Sequence, residues 1–167
     1  EKTKYSLMAM DELSAIAGKR RELARLKRKE HLKRFDALTT SVNELLSRRS
    51  FGAALAKCRA FSRDPAAALP EIKGRLSGLQ RKVEDDGRRA VSAILGQARK
   101  LAAERDFVGA RKALEQIARL GLPGARPQRD RALAEITSAE RTAAREKQQK
   151  ALNRCRKVIA GLASLVK

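Results

Sequence analysis

The chain has 167 residues, 43% of them apolar, with no Trp, four Phe and one Tyr, and its 39 Lys and Arg against 19 Asp and Glu give a formal charge of +20. Ala, Leu, Lys, Arg, Glu and Gln, the strongest intrinsic helix formers, dominate, while Val, Ile and Thr are too sparse to build a sheet. No apolar run approaches the roughly 18–20 residues of a membrane span, and no charged, apolar and cleavage regions of a leader open the chain.

The first element is expected to be one long helix over Leu7–Arg49, a stretch without Pro. Leu13, Ile16, Leu23 and Leu26 mark one stripe at steps of three to seven residues; Leu32, Phe35, Leu38, Val42 and Leu45 mark the next. The phase slips at the charge run KRKEHLKR, so two helices broken near Glu30 also satisfy the pattern; the absence of a turn residue favours one. Ser50 is then placed as the N-cap of a short helix that ends before Asp64-Pro65, since a Ser oxygen can accept from the orphan N–H groups of a first turn and Pro cannot continue the ladder.

A second long helix is expected from about Pro70 to Arg105, its stripe running through Ile72, Leu76, Leu79, Val83, Val91, Ile94, Ala98 and Leu101. Asp85-Asp86-Gly87 is its weak point, where a break or bend is expected. Asp106 caps a second short helix that ends before Gly121-Leu122-Pro123-Gly124. The last helix starts near Pro127 and runs onward; its middle, 139–150, is almost wholly polar, after which Leu152, Cys155, Ile159 and Leu162 repeat the apolar spacing of Phe35, Leu38, Val42 and Leu45.

Two of these segments are degenerate copies. RRSFGAALAKCRAF (Arg48–Phe61) aligns with ERDFVGARKALEQI (Glu104–Ile117) at a spacing of 56 residues, matching Phe51 to Phe107, Ala54 to Ala110, Cys58 to Leu114 and Phe61 to Ile117. Repeated supersecondary units bury a core by stacking on one another. The expected fold is therefore all-α, a long-short-long-short-long series of antiparallel helical hairpins in a single domain, with units near 7–65, 70–123 and a partial one at 127–167. The opening residue is Glu, which suggests a segment of a longer protein.

The pattern of Phe107, Ala110 and Leu114, with Gly96 at a small position of the preceding helix and the Pro-marked exit at Asp64-Pro65, resembles tetratricopeptide hairpins with a longer period. That resemblance implies an α-solenoid-like scaffold that binds a peptide or helix in a groove, and it implies no catalysis.

Chemistry-bearing residues are few. His31 is alone and is expected on a solvated face, Asp85 and Asp86 are adjacent and point apart on a helix, and no phosphate-loop, dinucleotide or HExxH motif occurs. Cys58 and Cys155 sit on apolar stripes without a CxxC or a neighbouring His, so both read as buried, inert thiols. No catalytic residue, cofactor or metal ligand is assigned.

Charge is the remaining functional signal. It is spread as +6 over 1–50, +6 over 51–100 and +8 over 101–167. Lys19–Arg34 is the densest segment, with nine cations against Glu22 and Glu30. Lys19, Arg20, Arg21, Arg25, Arg28 and Lys29 are the candidate partner-binding residues there, Arg21, Arg25, Arg28 and Lys29 falling on one helical face. A second cluster, Arg126, Arg129 and Arg131, opens the last helix, where cations oppose the helix dipole and an anion would relieve them. A third, Arg141, Arg145, Lys147, Lys150, Arg154, Arg156 and Lys157, continues along it. The competing reading is a solvated face with internal pairs such as Glu22–Arg25. The expected function is a non-catalytic interaction or scaffold module for an acidic protein or peptide; the alternative is sequence-independent binding of a nucleic-acid backbone. Base stacking is not expected, because Phe35, Phe51, Phe61 and Phe107 all fall on core stripes. A membrane partner is not expected, since Lys19–Arg34 lacks a broad bulky apolar face, and a cytoplasmic setting is favoured.

Overall fold

The computed structural model describes the backbone of residues 2–165 and the side chains of residue 10 and residues 12–159. Its elements are α1 (Lys2–Ser47), α2 (Phe51–Phe61), a 3-10 turn (Pro65–Ala68), α3 (Pro70–Ala103), α4 (Phe107–Arg119) and α5 (Ala125–Leu165). The described chain is all-helical in the expected order, and α1 runs unbroken through the charge run. The last helix starts two residues before Pro127, which its first turn tolerates because the N–H that Pro lacks has no partner there anyway.

α3 is also continuous, which corrects the break expected at Asp85-Asp86-Gly87. Arg88 lies 3.5 Å from Glu84 and 3.8 Å from Asp85, and Arg89 pairs with Asp86, so cations one turn on neutralise the acids. Gly87 is buried, and a Cβ there would lie 2.7 Å from Cδ1 of Leu122. The glycine thus serves close packing inside a helix.

Both turns from a long helix into a short one place an arginine in the left-handed region, Arg49 at φ 55° and Arg105 at φ 64°. After α3, Arg105 N–H donates to the Ala102 carbonyl at 3.0 Å and Asp106 N–H to the Leu101 carbonyl at 2.9 Å, the paired bonds of a Schellman stop. The Asp106 carboxylate then accepts from Gly109 N–H at 2.8 Å and caps α4 as expected. Ser50 does not cap α2 in this way. Gly52 N–H in the first turn of α2 instead donates to the Leu120 carbonyl at 2.9 Å. A main-chain acceptor from the end of α4 takes the role assigned to the hydroxyl.

The chain divides into two compact units, Glu1–Arg48 with Ala53–Val83, and Arg49–Gly52 with Glu84–Lys167. The first is built on Phe35 and Val42 of α1, Ala54, Leu55 and Cys58 of α2, Ala66, and Ile72, Leu76 and Val83 of α3, all buried. Phe61 meets Phe35 edge-on with ring centroids 5.8 Å apart, and the Arg75 guanidinium sits 4.6 Å above the Phe35 ring. Arg28–Glu71 at 2.7 Å and Asp36–Arg75 at 3.3 Å show that α1 and α3 advance in the same sense, with the first turn of α3 level with Arg28. The described side chains of α1 before that level are uncovered. Leu13, Ile16, Leu23 and Leu26, expected in the core, are 65%, 47%, 54% and 58% exposed for this reason.

The second unit packs Val91, Ile94 and Ala98 of α3 and Ala110, Ala113, Leu114 and Ile117 of α4 with Ala125, Ala132 and Ile136 of α5. Gly52 and Gly121 meet backbone to backbone: a Cβ on Gly52 would lie 2.2 Å from the Gly121 carbonyl oxygen. Gly121 itself turns the chain at φ +64°. Arg111–Glu140, Arg99–Glu135 at 3.5 Å and Arg105–Glu146 at 3.2 Å tie α5 to the α3–α4 hairpin. Beyond Glu146 every described side chain of α5 is exposed. Leu152, Ile159 and Cys155 are therefore not packing residues as expected, because no helix reaches them; Leu162 lies outside the described side chains.

Two cationic faces on uncovered helix arms

The packed positions of a helix recur every three or four residues, and the same register can be followed past the point where packing stops. In α1 it runs backwards from Val42 and Phe35 to Arg28, Arg25 and Arg21, and then to Ala17, Leu13 and Met10. The face that is apolar where α3 covers it becomes mixed, cationic and apolar, where nothing does. Arg28 is held by Glu71. Lys19, Arg20, Arg21, Arg25 and Lys29 have no carboxylate within 4.0 Å among the described residues. The structure brings Arg21, Arg25 and Arg28 onto one face, whereas Lys19 points to the opposite side with Leu26.

In α5 the packed register is Ala125, Arg129, Ala132, Ile136, Glu140 and Ala143, all buried or half-buried. Its next four members are Lys147, Lys150, Arg154 and Lys157, all exposed and none paired with a carboxylate among the described residues. No Asp or Glu follows Glu146 in the sequence. Leu152, Cys155 and Ile159 lie on the opposite face, roughly 150° away at ~100° per residue. Sequence reasoning noted these cations as a run but did not single out the row. The available signal was the unbroken 4-3-4-3 spacing leading on from Ala143.

The cluster at the start of α5 is only partly assembled. Arg126 and Arg129 line a cleft of about 260 Å³ with Ile117, Ala118, Gly121, Leu122 and Ala125, while Arg131 stands outside it. Arg129 donates to its neighbour Asp130 from Nε at 2.9 Å and from Nη2 at 2.6 Å. The dipole conflict is thus eased from within the helix.

His31 differs from its expected place on a solvated face. It is half-buried, and its Nδ1 is enclosed without a hydrogen-bond partner. Burial pushes the Cys58 thiol up from its ordinary value. Among the described residues no group of three or more His, Cys, Asp and Glu is placed to hold a metal ion, and no helix is long and apolar enough to cross a membrane. In comparisons with known proteins, no family model matches this chain, and neither a curated protein nor a solved structure does.

Proposed function

We propose that this protein is a non-catalytic interaction module, a series of tetratricopeptide-like hairpins, whose α1 arm docks an acidic amphipathic segment of another protein. One observation carries the reading: the packed register of α1 continues as Arg28, Arg25, Arg21, Ala17, Leu13 and Met10, and Arg28 already holds a carboxylate, Glu71, at 2.7 Å. That internal pair is the template for the next contacts along the arm. A partner helix with carboxylates spaced to meet Arg25 and Arg21 would extend the layer that α3 begins. Met10 and Leu13, each 65% exposed, give such a helix apolar area to bury; a phosphate backbone has no use for them. Salt bridges on an open surface contribute little each, so the apolar contacts set affinity and the arginines set orientation and partner choice.

The test uses a synthetic amphipathic helix with Glu at one turn's spacing, titrated against the full chain at 100 mM salt. Arg21→Glu with Arg25→Glu, which leaves Arg28–Glu71 intact, is expected to weaken binding at least tenfold. Unchanged binding by that double variant, or equal binding of the Glu-to-Gln peptide, would remove the arm as the docking face.

A further inference from the structure

We infer that the row Lys147, Lys150, Arg154 and Lys157 on α5 is a second, separate binding face, one that takes the phosphate backbone of a nucleic-acid duplex.

The row differs in kind from the α1 face. It holds four cations in one unbroken register, with no apolar side chain between them and no carboxylate after Glu146 to neutralise them. At 1.5 Å per residue it spans about 15 Å, a line of charge roughly one every 5 Å. A protein helix laid here would find only Val158, exposed one turn beyond Arg154, to bury. A polyanion surface meets several of these cations at once and gains by releasing its condensed counterions.

The position of the row selects a rod over a plane. Lys147 follows directly on Glu146, which Arg105 of the α3–α4 turn holds at 3.2 Å, and it lies on the same face of α5 that the hairpin packs against. The hairpin therefore stands up at one end of the row, making a corner whose near side is the shallow groove lined by Arg105, Phe107, Thr142 and Glu146. A flat bilayer meets the hairpin before it meets Lys147 and Lys150, whereas a cylinder can lie in the corner. Leu152 and Ile159 face the other way, and only Val158 lies beside Arg154 at the far end of the row, so a membrane could not engage a broad apolar face and the row together. α5 carries no Phe, Tyr or Trp, and Phe107 in the groove is half-buried, which leaves little ring face for unpaired bases and favours a duplex over a single strand.

The measurement is fluorescence anisotropy of a labelled 24-base-pair DNA of mixed sequence with the full chain between 50 and 200 mM salt. Four phosphate contacts predict that affinity falls by roughly 150-fold or more across that range. Neutralising the row (Lys147→Gln, Lys150→Gln, Arg154→Gln, Lys157→Gln) is expected to weaken binding more than tenfold at 100 mM and to lower the salt slope by roughly 3 to 4. Removing the same number of charges from α1 (Arg20→Gln, Arg21→Gln, Arg25→Gln, Lys29→Gln) is expected to change affinity less than threefold. Equal losses in the two variants would show attraction by net charge alone and overturn the proposal, as would the absence of binding at 50 mM. It is equally overturned if vesicles with 30% phosphatidylserine, or the acidic peptide, bind through the row while DNA does not. The acidic-peptide titration of α1 stands apart from all of these outcomes, so either face can fail alone.

Discussion

Gly52→Ala tests a close backbone approach in the second unit. The new methyl would sit 2.2 Å from the Gly121 carbonyl oxygen, 2.7 Å from its carbonyl carbon and 2.9 Å from its Cα, none of which is a flexible side-chain end. To reach ordinary contact, the start of α2 and the Leu120–Gly121 segment must part by about an ångström. Overpacking of this kind costs about 1–3 kcal/mol. Parting also stretches the 2.9 Å bond from Gly52 N–H to the Leu120 carbonyl, worth about 1 kcal/mol. Against this stands the better helix propensity of Ala, which returns up to about 1 kcal/mol. With the propensity gain at its full value the net loss is about 1–3 kcal/mol, or a fall in Tm of roughly 2–12 °C for a chain of this size. Gly96→Ala is the matched control: Gly96 is exposed in the middle of α3, and a Cβ there meets nothing within 4 Å. It should stabilise by about 0.5–1 kcal/mol. Thermal and urea denaturation followed by circular dichroism reads both. A Gly52→Ala protein as stable as the Gly96→Ala one would refute the close approach.

Other consequences follow from burial. Leu114→Ala, at a position 2% exposed, should cost about 2–4 kcal/mol in urea denaturation, whereas Leu23→Ala, 54% exposed on the α1 arm, should change stability by less than about 0.5 kcal/mol. His31→Leu removes an enclosed Nδ1 that lacks a partner and should raise stability by about 1 kcal/mol; a loss of similar size would mean that the imidazole is satisfied in solution. A thiol reagent should label Cys155 in the native protein and Cys58 only on unfolding, as mass spectrometry of the labelled peptides would show. Because burial raises the Cys58 thiol, the folded state holds its proton where the unfolded chain begins to ionise. Stability from this site is therefore complete below the ordinary thiol range and declines as pH rises through it, a decline that Cys58→Ala should abolish.

The helix order was legible because Pro, Gly and Asp punctuate a chain made of helix formers, and Asp106 caps α4 as its type and position suggest. What periodicity cannot supply is whether a neighbour exists. Leu13, Ile16, Leu23 and Leu26 have core spacing, yet α3 begins level with Arg28 and leaves them bare. Leu152 and Cys155 go uncovered for the same reason. The Gly52–Leu120 bond was invisible because its acceptor comes from a distant element, and Ser50 offered a plausible local one. At the candidate faces, the charge was countable from the sequence. Which cations share the packed register, and which are already spent on Glu71 or Asp130, required coordinates.

The ion pairs have a consequence for the solution behaviour of α5. Arg105 and Glu146 form the last cation–carboxylate tie along that helix, and the following turns carry like charges at i,i+3 and i,i+4 with no internal counterion. Such neighbours repel by a few tenths of a kcal/mol per pair, and a helical stretch whose described side chains, 147–159, are all exposed has little else to hold it. At low ionic strength residues 147–159 of α5 should lose helix content, which should rise again as salt screens the repulsion over about 10 Å at 0.1 M. A polyanion lying along the row would do the same at far lower concentration. Ellipticity at 222 nm across a salt series, compared with the row-neutralised variant, would register that coupling as order gained by charge compensation.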